Sequence, residues 1–413
     1  MLKYKNRKPH VEGVLVDDII KTHQTPLYVY SQKSIIKSYN ELKKTLNSEI
    51  FYAVKANSNL AIIKLLNSLG AGADVVSVGE LKRALAAGVD PKKIIFEGVG
   101  KSYADILFAI KKNIRLINIE SVEEIQMINE IGKSINKIIN TGIRLNPNID
   151  GNMLDKISTG KNTDKFGITV KDLNDIVLRI KDLKNIKIVG ISCHVGSQIK
   201  NLNVFKKIFQ FMKKTAKELI NKKIPIKYVD LGGGIGIKYQ SSDSIIKLDS
   251  LRKLVASEFK NVPYKISFEP GRYLVANSGI LITKILTVKS NGGINYLITD
   301  AGMNTLIRPA LYNATHIIKS TNLNNSKKFK YTIAGPICES SDIFAKNISL
   351  PKQKSGNHLI IFDVGAYGSV MASRYNSRDL PLEILVNDSS LAIIHKPQLI
   401  DDYIKQDIIP SWI

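Results

Sequence analysis

The chain has 413 residues, 44% hydrophobic and 23% charged, a balance that suits a globular protein with a large core and room for two domains. A formal net charge of +24 raises nucleic acid as a partner, but the lysines are scattered over many predicted helix faces, in runs such as KKIIF and NKIIN, and no nucleic-acid module follows. The charge therefore reads as compositional bias. No apolar run approaches the roughly 18 residues of a membrane span. The opening MLKYKNRKPH has no apolar stretch of the signal-peptide kind, and two cysteines, Cys193 and Cys338, make no disulfide framework, so a cytoplasmic protein is expected.

From residue 27 onward, short β-rich runs alternate with amphipathic segments. The expected strands are YAVK (52–55), DVVS (74–77), IIFEG (94–98), LINI (116–119), GIRLN (142–146), VGISCHV (189–195), YVDLGG (228–233) and ISFEPGR (266–272). Helical patterns separate them at 59–70, 78–88, 121–132, 170–183 and 204–220, with Gly70, Gly88 and Gly132 where helix ends should fall. Eight such repeats over about 250 residues predict a (β/α)8 TIM barrel over 27–275. A doubly wound sheet is the alternative, but no GxGxxG follows an early strand. After residue 275 the texture turns to β-rich runs, such as GILITKILTVKS (279–290) and HLIIFDVGAYG (358–368). This predicts a β-rich domain over 276–413 that also takes in residues 1–26, where HVEGVLV has a strand-like look.

The unusual residues sit at the C-terminal ends of the expected strands, which is where barrel active sites are built. Lys55 closes the first, His194 follows ISC, Gly232, Gly233 and Gly234 close the seventh, and Glu269, Gly271 and Arg272 close the eighth; Asp74 and Arg144 also lie near strand ends. Alone, each has an ordinary reading: a snorkelling lysine, a core histidine, a tight turn, an ion-paired turn. Together they are what pyridoxal phosphate requires. An amine in a partly dry pocket can form a Schiff base with an aldehyde. Consecutive glycines can present backbone N–H groups to a phosphate. A carboxylate can keep the pyridine nitrogen protonated, and an imidazole can lie against the ring.

These motifs, in this order, resemble the diaminopimelate decarboxylases, in the alanine-racemase-like (fold type III) group of pyridoxal-phosphate enzymes. The resemblance runs through TPLYVYS, YAVKAN, DVVSVGEL, KFGI, HVGSQ, LGGGIGI, EPGRYLVANSG, DAGMNTLIRPALY, GPICESSD and GAYGSVMASRYNSR. It implies decarboxylation of meso-2,6-diaminopimelate to L-lysine and CO2 by a homodimer with shared active sites, and it assigns roles. Lys55 holds pyridoxal 5'-phosphate covalently and His194 stacks on its ring. Ser197, the Gly232–Gly234 loop and the Gly271–Arg272 backbone hold the phosphate. Glu269 pairs with the pyridine nitrogen. Arg272, Arg308 and Tyr312 bind substrate carboxylate, and Tyr367 reaches phosphate or substrate. Cys338, as proton donor, and Glu339, as substrate ligand, come from the second subunit.

Ornithine, lysine and arginine decarboxylases of the same fold are the nearest rivals. Relatives of that kind usually carry aspartate where this chain has Glu339, and a distal amine would be repelled by Arg308. A racemase fits less well, because no second catalytic tyrosine stands in a racemase-type context. A non-catalytic binding homologue would have no need of Lys55, Glu269, Cys338 and Tyr367 together.

Overall fold

The computed structural model describes residues 1–150, 159–161, 163–322 and 327–413. The chain divides into two compact units, one of Ser38–Lys238 with Ser244–Tyr273, the other of Met1–Lys37, Tyr239–Asp243 and Leu274–Ile413.

The first unit is the barrel. Its eight strands are Glu49–Ala53, Gly72–Val75, Ile94–Phe96, Leu116–Ile119, Ile139–Leu145, Ile186–Cys193, Tyr228–Asp230 and Lys265–Phe268. Each pairs in parallel with its neighbour in chain order, and the circle closes where Ser267 meets Glu49 and Phe268 meets Ile50. Strands buried on both faces must be apolar throughout, which is why runs such as IIF and LINI show no alternation.

The helices between the strands start where a short hydroxyl side chain can satisfy an end N–H. Ser77, Ser102, Ser121 and Thr169 each accept a hydrogen bond from the backbone N–H three residues on. A cap of this kind is worth about 1 kcal/mol. Gly70 and Gly88 end their helices at φ of 104° and 83°, in the left-handed region. Gly132 does not end a helix. Val122–Ser134 runs past it, and the left-handed residue is Asn136, at φ 51°. Gly132 is small for packing instead, since a Cβ there would lie 2.8 Å from the Asn185 side chain.

The second unit contains a nine-stranded sheet whose spine is Ile343–Pro351, Lys328–Ala334, Ile294–Thr299, Gly279–Asn291, Leu27–Ser31, Leu382–Asn387 and Ser390–His395; Ile318–Ser320 pairs with His358–Phe362, which pairs with Gly279–Asn291. The N-terminal strands Leu2–Lys5, Lys8–Val11 and Val14–Leu15 form a small sheet of their own. Val11, Val16 and Ile19 join Leu27, Val29, Ile280, Ile282, Ile360, Ile384 and Val386 in one core. Alternate residues supply that core, as strand geometry demands. The residues between them, Tyr28 and Tyr30, face the other way, 6.2 Å apart and nearly coplanar, with the Tyr30 hydroxyl donating to Glu383 at 2.6 Å.

Residues 27–37 belong to this unit, although the β–α alternation placed the barrel's start at residue 27. Leu27–Ser31 lies between Gly279–Asn291 and Leu382–Asn387, so its hydrogen bonds are made in the sheet. The units part at Lys37 and Tyr273, against the expected boundaries at 26 and 275.

Candidate active site

Each barrel strand carries an ionisable residue at, or within two residues of, its C-terminal end. In chain order these are Lys55, Asp74, Glu97, Glu120, Arg144, His194, Asp230 and Glu269. Closing the barrel therefore gathers five carboxyl groups, an amine, a guanidinium and an imidazole at one mouth. The five acids and Arg144 are all buried.

Lys55 does not sit in a strand. The first strand stops at Ala53, and Lys55 occupies the single 3-10 turn Val54–Ala56. That turn leaves the amine half-exposed, with Nζ 3.3 Å from Asp74 Oδ2. Arg144 takes Glu120 at 2.9 Å and Glu97 at 3.7 Å. Glu97 also accepts from Ser192 and Asn118.

Glu269 is buried without such partners: its Oε1 has no hydrogen bond. Burial first, then the charges of Asp230, Asp74 and Glu97, push its carboxyl well above the usual range, against the pull of Lys55. Asp230 is pushed up to about 7 by burial, although Ser267 and the Gly232 N–H donate to it.

His194 is neutral, and its tautomer is determined. The Gly233 N–H donates to Nδ1 at 3.1 Å, so Nδ1 is the acceptor and the proton sits on Nε2. Desolvation and the charges of Lys55 and Arg144 hold the imidazole well below its ordinary range.

The glycine turn is set by close packing. A Cβ at Gly232 would strike the Cys193 carbonyl, at Gly233 the Glu269 carbonyl, and at Gly234 the Gly196 carbonyl. Gly232 and Gly234 also have φ of 67° and 86°. The Gly232 and Gly233 N–H groups point to Asp230 and His194, so the triplet was expected to offer more donors to a ligand than it does. Beside the turn, the Arg272 guanidinium donates through Nε and Nη2 to Ser197 Oγ, each at 3.1 Å. Gly271 packs against Ala53 and Ala56, on either side of Lys55.

These features fit pyridoxal phosphate. The orphaned, buried oxygen of Glu269 calls for an N–H donor, which a protonated pyridine supplies, and a half-exposed amine stands at the same mouth of the barrel.

The other expected site residues lie in the sheet unit. Arg308 opens the short helix Arg308–Tyr312 and is buried, where an isolated arginine would more often be exposed. Tyr312, at its end, is half-buried. Cys338 and Glu339 are exposed. Tyr375 and Ser341 donate to the two oxygens of Glu339, at 2.5 and 2.9 Å, and hold its carboxyl below the usual range. Tyr367 is half-buried at φ 56°, a strained conformation for an aromatic residue. Cys193 is buried, and burial pushes its thiol up, so it is inert packing.

The pyridoxal binding domain of pyridoxal-dependent decarboxylases matches residues 32–276. Diaminopimelate decarboxylase of Aquifex aeolicus is 38% identical over 97% of this chain and 96% of its own. The enzyme of Helicobacter pylori, solved in complex with L-lysine, superimposes with a TM-score of 0.90 at 39% identity, covering 94% of this chain and 98% of the other. That of M. jannaschii, also with L-lysine, gives 0.94 at 35%, covering 100% and 98%. The chain belongs to the diaminopimelate decarboxylase family.

Of the residues expected to hold the cofactor, the barrel unit contains Lys55, His194, Ser197, Gly232, Gly233, Gly234, Glu269, Gly271 and Arg272. Sequence reasoning passed over Glu97, Glu120 and Asp230. A signal for them was present: an acid stands at the end of GAD, IIFE, LINIE, YVD and SFE alike, and apolar runs that repeatedly reach an acid near the strand end make a charged mouth. Among the described residues no helix is long and apolar enough to cross a membrane.

Proposed function

We propose that this chain is the pyridoxal-phosphate-dependent carboxy-lyase that converts meso-2,6-diaminopimelate to L-lysine and CO2, the last step of bacterial lysine synthesis. The observation that carries the reading is Glu269, a buried carboxyl with an unpartnered oxygen, at the barrel mouth that also presents Lys55.

Bound pyridoxal phosphate supplies an electron-accepting ring that stabilises negative charge at the substrate's α-carbon as CO2 leaves. The chain's residues do the rest. Lys55 would be the amine that holds the cofactor. Glu269 accepts the ring N–H and keeps it protonated. The enclosure that raises its pKa when alone makes a cationic partner worth more. Neutral His194 would face the ring without adding a competing positive charge. Gly234, Ser197, and the backbone of Gly271 and Arg272 take the phosphate. Tyr367, held at a strained φ, reaches toward phosphate or substrate.

Substrate choice rests on Arg272, Arg308 and Tyr312 for carboxylate and Glu339 for ammonium. A substrate with a carboxylate at its far end suits a buried guanidinium, whereas the far amine of ornithine or lysine would be repelled by it. Cys338 returns the proton to the α-carbon. In this reading the enzyme is a cytoplasmic homodimer in which Cys338 and Glu339 serve the second subunit's site.

The test is side-by-side incubation of the cofactor-loaded enzyme with meso-diaminopimelate, L-ornithine and L-lysine, following CO2. Release from the first alone is expected. Comparable kcat/KM for L-ornithine or L-lysine would overturn the substrate assignment.

A further inference from the structure

Cys338 and Glu339 stand in the loop GPICESSD, which the sheet unit grips from two sides. On one side is Asp342, a buried carboxylate that accepts the backbone N–H groups of Met303 at 2.6 Å and Ile337 at 2.7 Å. On the other is the turn at Tyr375 and Asn376. The Cys338 N–H donates to Asn376 Oδ1 at 3.2 Å, and the Tyr375 hydroxyl donates to Glu339 Oε1 at 2.5 Å. Ser341 Oγ donates to Glu339 Oε2 at 2.9 Å, so both carboxylate oxygens are engaged. Asn376 and Ser377 have φ of 56° and 51°, in the left-handed region, and this tight turn sets Tyr375 against a loop 36 residues away.

Folding has little use for this arrangement. Glu339 and Tyr375 are both exposed, and side-chain bonds at an exposed carboxylate add little to stability, because water solvates the group as well. Holding a glutamate in one rotamer also costs side-chain entropy. Two donors on two oxygens fix the plane of the carboxylate before any ligand arrives, and that saves a ligand the cost of ordering it.

The geometry points to Tyr375 as a positioning residue that fixes the Glu339 carboxylate for the substrate's distal ammonium. This rests on the assignment of Glu339 to that ammonium. Product L-lysine keeps the ammonium, and 6-aminohexanoate is the same chain without it, so the pair isolates the contact without turnover.

The experiment measures competitive inhibition of the cofactor-loaded enzyme by both compounds in Tyr375→Phe, which keeps the ring and removes the hydroxyl. The inhibition constant of L-lysine should rise about tenfold, the scale of one hydrogen bond to a charged group, and that of 6-aminohexanoate less than about threefold. Parallel weakening of both inhibitors, the outcome of a purely structural role, would overturn the inference, and so would unchanged or tighter binding of L-lysine. Glu339→Gln separates the inference from its premise. If that variant leaves the preference for L-lysine over 6-aminohexanoate intact, the assignment of Glu339 fails. If it removes the preference and Tyr375→Phe does not reduce it, only the role of Tyr375 fails. Placed on top of Glu339→Gln, Tyr375→Phe should change L-lysine inhibition less than about threefold, because the two residues act as one unit. A further tenfold loss in the double variant would show that Tyr375 acts elsewhere.

Discussion

At the scale of single residues, what makes this mouth of the barrel chemical is the contrast between paired and unpaired groups. Arg144 satisfies Glu120 and Glu97, and Lys101 satisfies Glu124 at 2.6 Å, so those ions are structural. Glu269 is less well provided for: its Oε1 has no hydrogen bond. Lys55→Ala should lower turnover on the order of 10³-fold or more and abolish the visible absorbance of the bound cofactor. Retained activity in that variant would rule out a covalent role. Cys338→Ala should slow turnover on the order of 10²-fold, the usual weight of one proton donor, with cofactor absorbance unchanged. Loss of cofactor instead would make the cysteine a structural residue.

At the scale of elements, the turn after the seventh strand shows two separate reasons for glycine. Gly233 has ordinary backbone angles and is needed because a Cβ would meet the Glu269 carbonyl; Gly88, at φ 83°, has open space around it and is needed only for its backbone angle. Gly233→Ala should therefore displace the residue before Pro270 and lower both thermal stability and cofactor affinity. Gly88→Ala should cost about 1 kcal/mol of stability and leave cofactor titration unchanged. Equal cofactor affinity in both variants would show that the turn tolerates displacement. The same scale explains where the chain pattern misled. Leu27–Ser31 followed by Gln32–Leu46 reads as a β–α repeat, yet its strand hydrogen-bonds to Gly279–Asn291, about 250 residues away, which no local pattern encodes.

At the scale of the whole molecule, five buried acids beside few cations should set the stability of the cofactor-free enzyme. A carboxyl whose pKa is higher folded than unfolded keeps a proton in the native state that the unfolded chain has already lost, so stability falls as pH rises through that interval. Asp230 titrates at about 7 when folded, and Glu269 lies well above its ordinary 4.5. His194 acts in the opposite sense, because its folded pKa is depressed, but its contribution is complete above its unfolded value of about 6.5. The cofactor-free enzyme should thus lose thermal stability as pH rises above about 6.5 through the Asp230 value of about 7, and Glu269→Gln should flatten that slope. A melting temperature that rises over this range in calorimetry would contradict the buried-acid account.

Sequence alone determined the barrel, the appended β-rich domain and the gathering of Lys55, His194, the glycine triplet and Glu269 at strand ends, because alternating short strands and amphipathic helices are local patterns and a parallel barrel brings its strand ends to one face whatever the details. It could not show that Gly232 and Gly233 spend their N–H groups on Asp230 and His194, that Gly132 lies within a helix, or that Arg308 lies beside His316. Those depend on which groups meet across long stretches of chain. Hydrogen-bond direction, tautomer and charge are properties of the contact, and only the tertiary structure makes the contact.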